Sequence, residues 1–254
     1  MATLYDWSTE VIRKIYDSRI TGAAVLDIAE HFPEGRRFVD KWPKLSDEAM
    51  RVANDLQSVP RFHELMPEQA VISANDNRDW RMLVLKAYGV SVRENLARCP
   101  VLAALVSSVP DVLSAALSFL APGKHIPRHR GPFRGVTRFY LGLSVPASAD
   151  GRPAAVLAID DREYRIGNGE CLLWDDTFPH EVWNRGKSVR TALLLDVRRR
   201  DMPLDMVLLS RALIAGIGAS VRFRNISWHR NYTHELHDRK TKKSVGAGTL
   251  NARP

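Results

Sequence analysis

The chain has 254 residues, 45% hydrophobic and 26% charged, which is the balance of a soluble globular protein with one substantial core and room for terminal additions. Its two cysteines, Cys99 and Cys171, have no paired spacing, which argues against a disulfide framework or a cysteine-based zinc site and fits a reducing compartment. The net charge of +8 is concentrated in residues 222–254, where eight Lys/Arg face only Glu235 and Asp238; no recognised motif accompanies it, so specific nucleic-acid binding is not expected.

The opening segment reads as a helix, because Leu4, Trp7, Val11, Ile12, Ile15 and Tyr16 recur at three- and four-residue steps and predict one buried face. No basic-then-apolar leader is readable before it, so a cytoplasmic chain is expected. Residues 30–74 mix proline, charge and short apolar groups and read as helical turns and loops. The turn-rich Ser73–Asp79 run leads into a first strand over 80–89, followed by helical stretches at 92–96 and 101–106 around Pro100. Strands then dominate: 115–120, 137–145, 155–159, 163–166, 171–174, 181–184 and 191–197, separated by turns at Pro122-Gly123, Asp150-Gly151 and Gly167-Asn168-Gly169.

Short strands at regular spacing predict a mainly β jelly roll over 80–203, with residues 1–79 as a helical and loop flank. The segment 204–221 reads as an apolar C-terminal helix whose apolar run, 206–221, is too short for the ~20 residues of a membrane span. A helix packed on the sandwich is the bland reading of this run. A helix lying at a membrane surface, with the basic tail behind it, is the sharper one.

Two histidines carry the chemistry. His129 lies in His129-Arg130-Gly131-Pro132, and His180 follows Asp175-Asp176-Thr177-Phe178-Pro179. A lone histidine is most often structural, but each of these flanks a β-rich segment, and Gly131-Pro132 removes bulk beyond the first. Neutral imidazole suits Fe(II), which non-haem oxygenases commonly hold with two histidines and one carboxylate. The carboxylate place, two residues after the first histidine, is here Gly131. Asp175 and Asp176 read either as groups that orient His180 or as a turn cap. His125 and the tail histidines His229, His234 and His237 have weaker claims. By themselves these spacings support a metal-binding β-sandwich.

Further blocks sharpen the reading. Pro122-Gly123, His125, Pro127, His129 and Gly131-Pro132, then Arg138–Leu143, Trp174–Asn184, Arg190 and Asp196-Val197, resemble the aspartyl/asparaginyl β-hydroxylase family. The resemblance spans residues 80–203. It implies a double-stranded β-helix (jelly-roll, cupin-like) core with flanking helices, and an Fe(II)- and 2-oxoglutarate-dependent dioxygenase that uses O2 to hydroxylate an unactivated C–H. It makes His129 and His180 the iron ligands, with Gly131 where related oxygenases have Asp. Arg190 matches the arginine that grips the far carboxylate of 2-oxoglutarate, a task for which a planar guanidinium is suited. Ser118 and Arg138 match further co-substrate contacts, and Tyr140 replaces a histidine at another. The flanks at Cys99-Pro100 and Pro110–Ala116, with the apolar-basic end, are similar to bacterial lipid A and ornithine-lipid hydroxylases. A membrane lipid acyl chain is therefore the expected substrate, at the inner face of the cell membrane. Asp/Asn in a peptide, halogenation, and a non-catalytic cupin-like module are the alternatives.

Overall fold

The structure, a computed structural model, describes residues 4–223. The N-terminal flank holds α1 (Leu4–Asp17), β1 (Val25–Leu26), α2 (Ile28–His31), α3 (Gly35–Val39), α4 (Trp42–Ala53), α5 (Phe62–Leu65) and α6 (Ala70–Ser73). Then come β2 (Trp80–Ala87), β3 (Val90–Ser91), α7 (Arg93–Arg98) and α8 (Pro100–Ser108). The strands β4 (Val112–Leu120), β5 (His125–His129), β6 (Val136–Ser144), β7 (Ala155–Ile159), β8 (Arg162–Tyr164), β9 (Cys171–Trp174), β10 (His180–Asn184) and β11 (Arg190–Arg198) follow. A last helix, α9, runs over Leu204–Phe223.

All strand pairings are antiparallel, in a seven-stranded sheet ordered β1-β9-β6-β11-β4-β2-β3 and a four-stranded sheet ordered β5-β10-β7-β8. From β4 to β11 the chain alternates between them, β7 and β8 forming one hairpin of the small sheet. That winding is the double-stranded β-helix expected of the chain. The strands β1, β3 and β5 are missing from the sequence reading, and of these β5 is the one that carries a site residue. Its His-Ile-Pro-Arg-His run lacks a β-branched, alternating pattern, and Pro127 is a poor strand former. β5 lies at the edge of its sheet, where a proline is tolerated.

Side-chain alternation gives the large sheet two different faces. Outward, Leu117, Phe119, Phe139, Leu141, Leu193 and Leu195 join Phe38, Leu45, Val52, Leu102 and Val106 in one buried core under the helices. Glu48 of α4, itself 1% exposed, accepts from the backbone N–H groups of Val101 and Leu102 at 2.7 and 3.0 Å and so caps α8. Inward, the same strands present Ser118, Arg138, Tyr140, Trp174 and Arg190 toward the small sheet.

Two expectations change at the ends. The apolar stripe of α1 is split: Tyr16 is buried and Ile12 packs beside it, whereas Trp7, Val11 and Ile15 are exposed. The C-terminal helix has 20 residues rather than the 16 of its apolar run, which is long and apolar enough to cross a membrane by length and composition. Yet Met206, Ser210 and Ile214, one per turn, are buried on Tyr16, Ile20, Phe133 and Val136, so one face belongs to the fold. The tail histidines and residues 224–254 lie outside the described residues.

Candidate active site

His129 and His180 are direct cross-strand partners, the last residue of β5 opposite the first of β10, with ring centroids 4.2 Å apart. They sit side by side on one sheet, brought together by β5, which the sequence reading lacked. Each ring is pinned in the same way. The Nδ1 of His129 meets the Pro127 carbonyl at 2.8 Å, and that of His180 meets the Phe178 carbonyl at 2.9 Å. A carbonyl only accepts, so both rings carry the proton on Nδ1 and leave Nε2 as a lone pair. Burial, assisted by the Arg138 charge, pushes His129 down to about 4. Burial and the neighbouring His129 push His180 down to about 3. Both imidazoles are therefore neutral at physiological pH, the state a metal ligand needs.

The acid pair before His180 divides. Asp175 accepts from Arg134 and Arg199, each at 2.7 Å, and from the Thr177 backbone at 3.0 Å, so it is the hub of a buried ion cluster. Asp176 turns the other way. Its Oδ2 is 3.2 Å from Arg138, but its Oδ1 is buried without a hydrogen-bond partner. Burial outweighs the attraction of Arg138 and, with Asp196 and Asp175 nearby, pushes Asp176 up to about 7. A Cβ added to Gly131 would overlap this carboxylate. The space a carboxylate side chain at position 131 would enter is thus filled from a different loop. Among the described residues no cluster of three or more His, Cys, Asp or Glu is arranged to hold a metal.

Across the interior, Arg190 is 3% exposed at the start of β11. Its Nη1 lies 3.4 Å from Ser118 Oγ, its guanidinium carbon sits 5.7 Å from the Tyr140 ring centroid, and its Nε has no partner. Burial pulls its pKa below the usual value, with Tyr140 opposing. A buried guanidinium with no carboxylate is costly unless an anion completes it. Ser118 also accepts from Trp80 Nε1 at 3.1 Å, which leaves its own hydroxyl proton to give.

Arg138 lines the same cavity but is engaged: Nε and Nη2 both reach Asp196 Oδ1 at 2.8 Å, besides the contact to Asp176. Its matched role as a co-substrate contact is therefore shared with holding Asp176. His125 is elsewhere, stacked on Trp183 with centroids 4.8 Å apart and 3.1 Å from Glu181. Sequence reasoning passed over Trp80 and Trp174, both of which line the cavity. Trp174 was visible only as part of a motif block, and Trp80 only as the start of a strand. The remaining wall is apolar, chiefly Leu157, Ile166, Val182 and Leu194.

The family model for aspartyl/asparaginyl beta-hydroxylases matches residues 39–200, well over half of the chain. The chain belongs to this family. It is 32% identical over 165 residues to an ornithine lipid ester-linked acyl 2-hydroxylase of Rhizobium tropici, covering 65% of this chain and 57% of that protein. It is 23% identical over 175 residues to the human aspartyl/asparaginyl beta-hydroxylase, covering 64% of this chain and 22% of that one. The human aspartate beta-hydroxylase domain-containing protein 2 is 27% identical over 129 residues, covering 48% and 33%. The chain thus matches little more than half the length of the bacterial relative and a third or less of the human ones. This member of the aspartyl/asparaginyl β-hydroxylase family brings His129, His180 and Arg190 to the wall of one cavity.

Proposed function

We propose that the chain is an Fe(II)- and 2-oxoglutarate-dependent dioxygenase that hydroxylates a lipid acyl chain. The observation that carries the co-substrate is Arg190, a buried cation with an unpartnered Nε and no carboxylate of its own. The donor set fits the metal: two neutral imidazoles with free Nε2 lone pairs, and a vacated third place next to the unpartnered Asp176 Oδ1. When bound, iron with 2-oxoglutarate and O2 supplies the oxidation, in which the keto acid becomes succinate and CO2 and a substrate C–H becomes C–OH.

The chain's own residues bind, orient and exclude. His129 and His180 would hold Fe(II) through Nε2, their orientation set by the Pro127 and Phe178 carbonyls. Asp176, whose carboxylate fills the space beside Gly131, would accept from a water at the open metal position, with Arg138 fixing its other oxygen. Arg190 and Ser118 would take the far carboxylate of 2-oxoglutarate, Trp80 holding the serine hydroxyl and the Tyr140 ring lying beside the guanidinium. Leu157, Ile166, Val182 and Leu194 keep water from the reacting carbon and suit an apolar substrate better than a charged one.

The lipid reading draws on the name of the Rhizobium relative, on these apolar walls, and on the apolar α9 followed by a basic segment that would rest on an anionic membrane. The peptide reading has its own support in the human relatives. Incubation of the protein with Fe(II), 2-oxoglutarate, O2 and either detergent-dispersed amino-acyl lipids or Asp/Asn peptides distinguishes them. The proposal expects a lipid product heavier by one oxygen atom, formed with an equal amount of succinate. Hydroxylation of peptide alone would overturn the lipid assignment, a product carrying chlorine would make the enzyme a halogenase, and no succinate with any substrate would overturn the dioxygenase.

A further inference from the structure

The exposed large apolar side chains are not scattered. Of the eight in the described residues, six lie on two helices: Trp7, Val11 and Ile15 on α1, and Leu204, Leu208 and Phe223 on α9. The α1 trio is spaced four residues apart and forms one helical face. Trp7 is 65% exposed and Phe223 77%, more than a solvated surface ordinarily leaves open for such rings.

The two helices are neighbours. The Tyr16 hydroxyl and Ser210 Oγ are 2.7 Å apart, and Arg19 pairs with Asp205 at 2.8 Å, so the contacts run antiparallel along the pair. Both helices bury their inner faces in one cluster with Phe133 and Val136. The exposed apolar side chains of each helix lie on the sides away from that cluster, and on α9 Arg211, Arg222 and Phe223 also line a groove with Tyr88 and Arg198. Near this surface Arg211 and Arg222 are exposed and have no acidic partner within 4 Å among the described residues, while Lys14, 75% exposed, is 3.9 Å from Glu10. The sequence after Phe223 adds seven Lys/Arg against two acids. Exposed apolar side chains accompanied by the unpaired Arg211 and Arg222, in a chain whose following sequence is basic, match the interface of an anionic bilayer and not a neutral protein groove.

We infer that α1 and α9 together form a two-helix platform that lies in the interface of an anionic lipid bilayer. α1 is half of the attachment, and α9 neither acts alone nor crosses the membrane. A span by α9 would have to pull Met206, Ser210 and Ile214 out of the cluster they share with α1. The platform is also tied to the histidine loops: Asp17 at the end of α1 pairs with Arg130 at 3.6 Å and with Arg134 at 3.2 Å. Arg130 follows His129 directly and donates to the Thr177 carbonyl of the loop before His180. The helix pair is thus linked directly to the segment that carries both histidines. The choice of occupant rests on the lipid reading above, but the test reads binding and not turnover.

The full-length chain is mixed with vesicles of phosphatidylcholine containing phosphatidylglycerol, and with vesicles of phosphatidylcholine alone, and bound protein is measured by flotation. Wild type binds the anionic vesicles. The double variant Trp7→Glu/Val11→Glu, with α9 and the tail intact, binds them at least about tenfold more weakly, since two apolar side chains leave the lipid and two charges replace them. Leu208→Glu/Phe223→Glu gives a comparable loss. Both variants keep wild-type melting temperatures because these side chains are exposed. Undiminished binding by the α1 variant overturns the platform. So does a dimer that dissociates on Trp7→Glu, which would show a second copy covering this face, and so does release of the face only after deletion of residues 224–254. Hydroxylation of detergent-dispersed lipid by a protein that ignores vesicles would fail the platform and leave the lipid reading standing; vesicle binding through α1 with no lipid turnover would do the reverse.

Discussion

The two faces of the large sheet are built by the same strands and have opposite character. Leu117, Phe119, Phe139, Leu141, Leu193 and Leu195 face the helices in a seamless apolar core. One residue away on each strand, Ser118, Arg138, Tyr140 and Arg190 face the other sheet, where Arg190 Nε, Asp176 Oδ1 and Trp174 Nε1 are buried without partners. A fold selected for stability alone would not leave such groups unpaired. The outer face holds the barrel together; the inner face leaves buried polar groups unpaired, as the proposed ligand-binding role requires.

Arg190 gives the largest expected effect on this contrast. Arg190→Ala should weaken 2-oxoglutarate binding on the order of 100- to 1000-fold, as expected when a buried carboxylate loses its charged partner. Arg190→Lys should recover only part of that, since an ammonium lacks the planar fork. The ligand-free protein should respond in the opposite sense: Arg190→Met raises its unfolding free energy by about 1 kcal/mol, because an unpaired buried charge is replaced by an apolar chain. Denaturant titration without co-substrate checks this, and a destabilised Arg190→Met would mean the inner face is structural after all.

The outer face should show the reverse pattern. Phe139→Ala, which removes a fully buried ring packed on Phe32 and Phe38, should cost about 3 kcal/mol of stability. The KM for 2-oxoglutarate in the protein that remains folded should stay within about twofold of wild type, as expected for a site it does not line. Chemical denaturation and steady-state kinetics read the two quantities separately.

Asp176 should have a smaller effect on metal than the histidines themselves. Asp176→Asn keeps the shape and hydrogen-bonding reach but removes the charge, and should lower iron affinity about 10- to 100-fold. Asp175→Asn should instead lower the melting temperature, because Arg134 and Arg199 lose their shared carboxylate. Equal iron loss in both would erase the division drawn between these neighbours.

The finest expectation concerns pH in iron-free protein. His129 and His180 have folded pKa values near 4 and 3, below the unfolded value of 6.5, so their stability is present above about 6.5 and is lost as pH falls toward 4. Asp176, raised from 3.8 to about 7, has the opposite sign and regains stability as pH falls through 7. Two losses against one gain leave stability falling as pH drops from about 6 toward 4, and Asp176→Asn should steepen that fall. Equilibrium denaturation across that range reads the slope; an unchanged slope in Asp176→Asn would place that carboxylate outside the coupled site.

Much of this contrast was legible in the chain. The strands at Thr137–Val145 and Thr191–Val197 were legible from their apolar runs and flanking turns; they carry Arg138 and Tyr140, with Arg190 just ahead of the second, and the turn residues marked most strand ends. β5 was not legible, because His125–His129 has no apolar period and contains a proline; without it the histidines could be named but not paired. The division between Asp175 and Asp176 was also hidden, since it depends on Arg134 and Arg199 arriving from distant positions. On α1, the helical period was visible, but which flank of a wide stripe would be covered depends on where α9 packs. Neither helix carries that information by itself.

The central claim is that the inner face holds Fe(II) on His129 and His180 and 2-oxoglutarate on Arg190. Anaerobic titration of Fe(II), then of 2-oxoglutarate, into wild type, His180→Ala and Arg190→Ala tests it most directly, with bound iron and bound keto acid counted per chain. The account predicts one iron and one 2-oxoglutarate in wild type, loss of stoichiometric iron in His180→Ala, and full iron with little co-substrate in Arg190→Ala. Full iron in His180→Ala together with wild-type co-substrate binding in Arg190→Ala would contradict it.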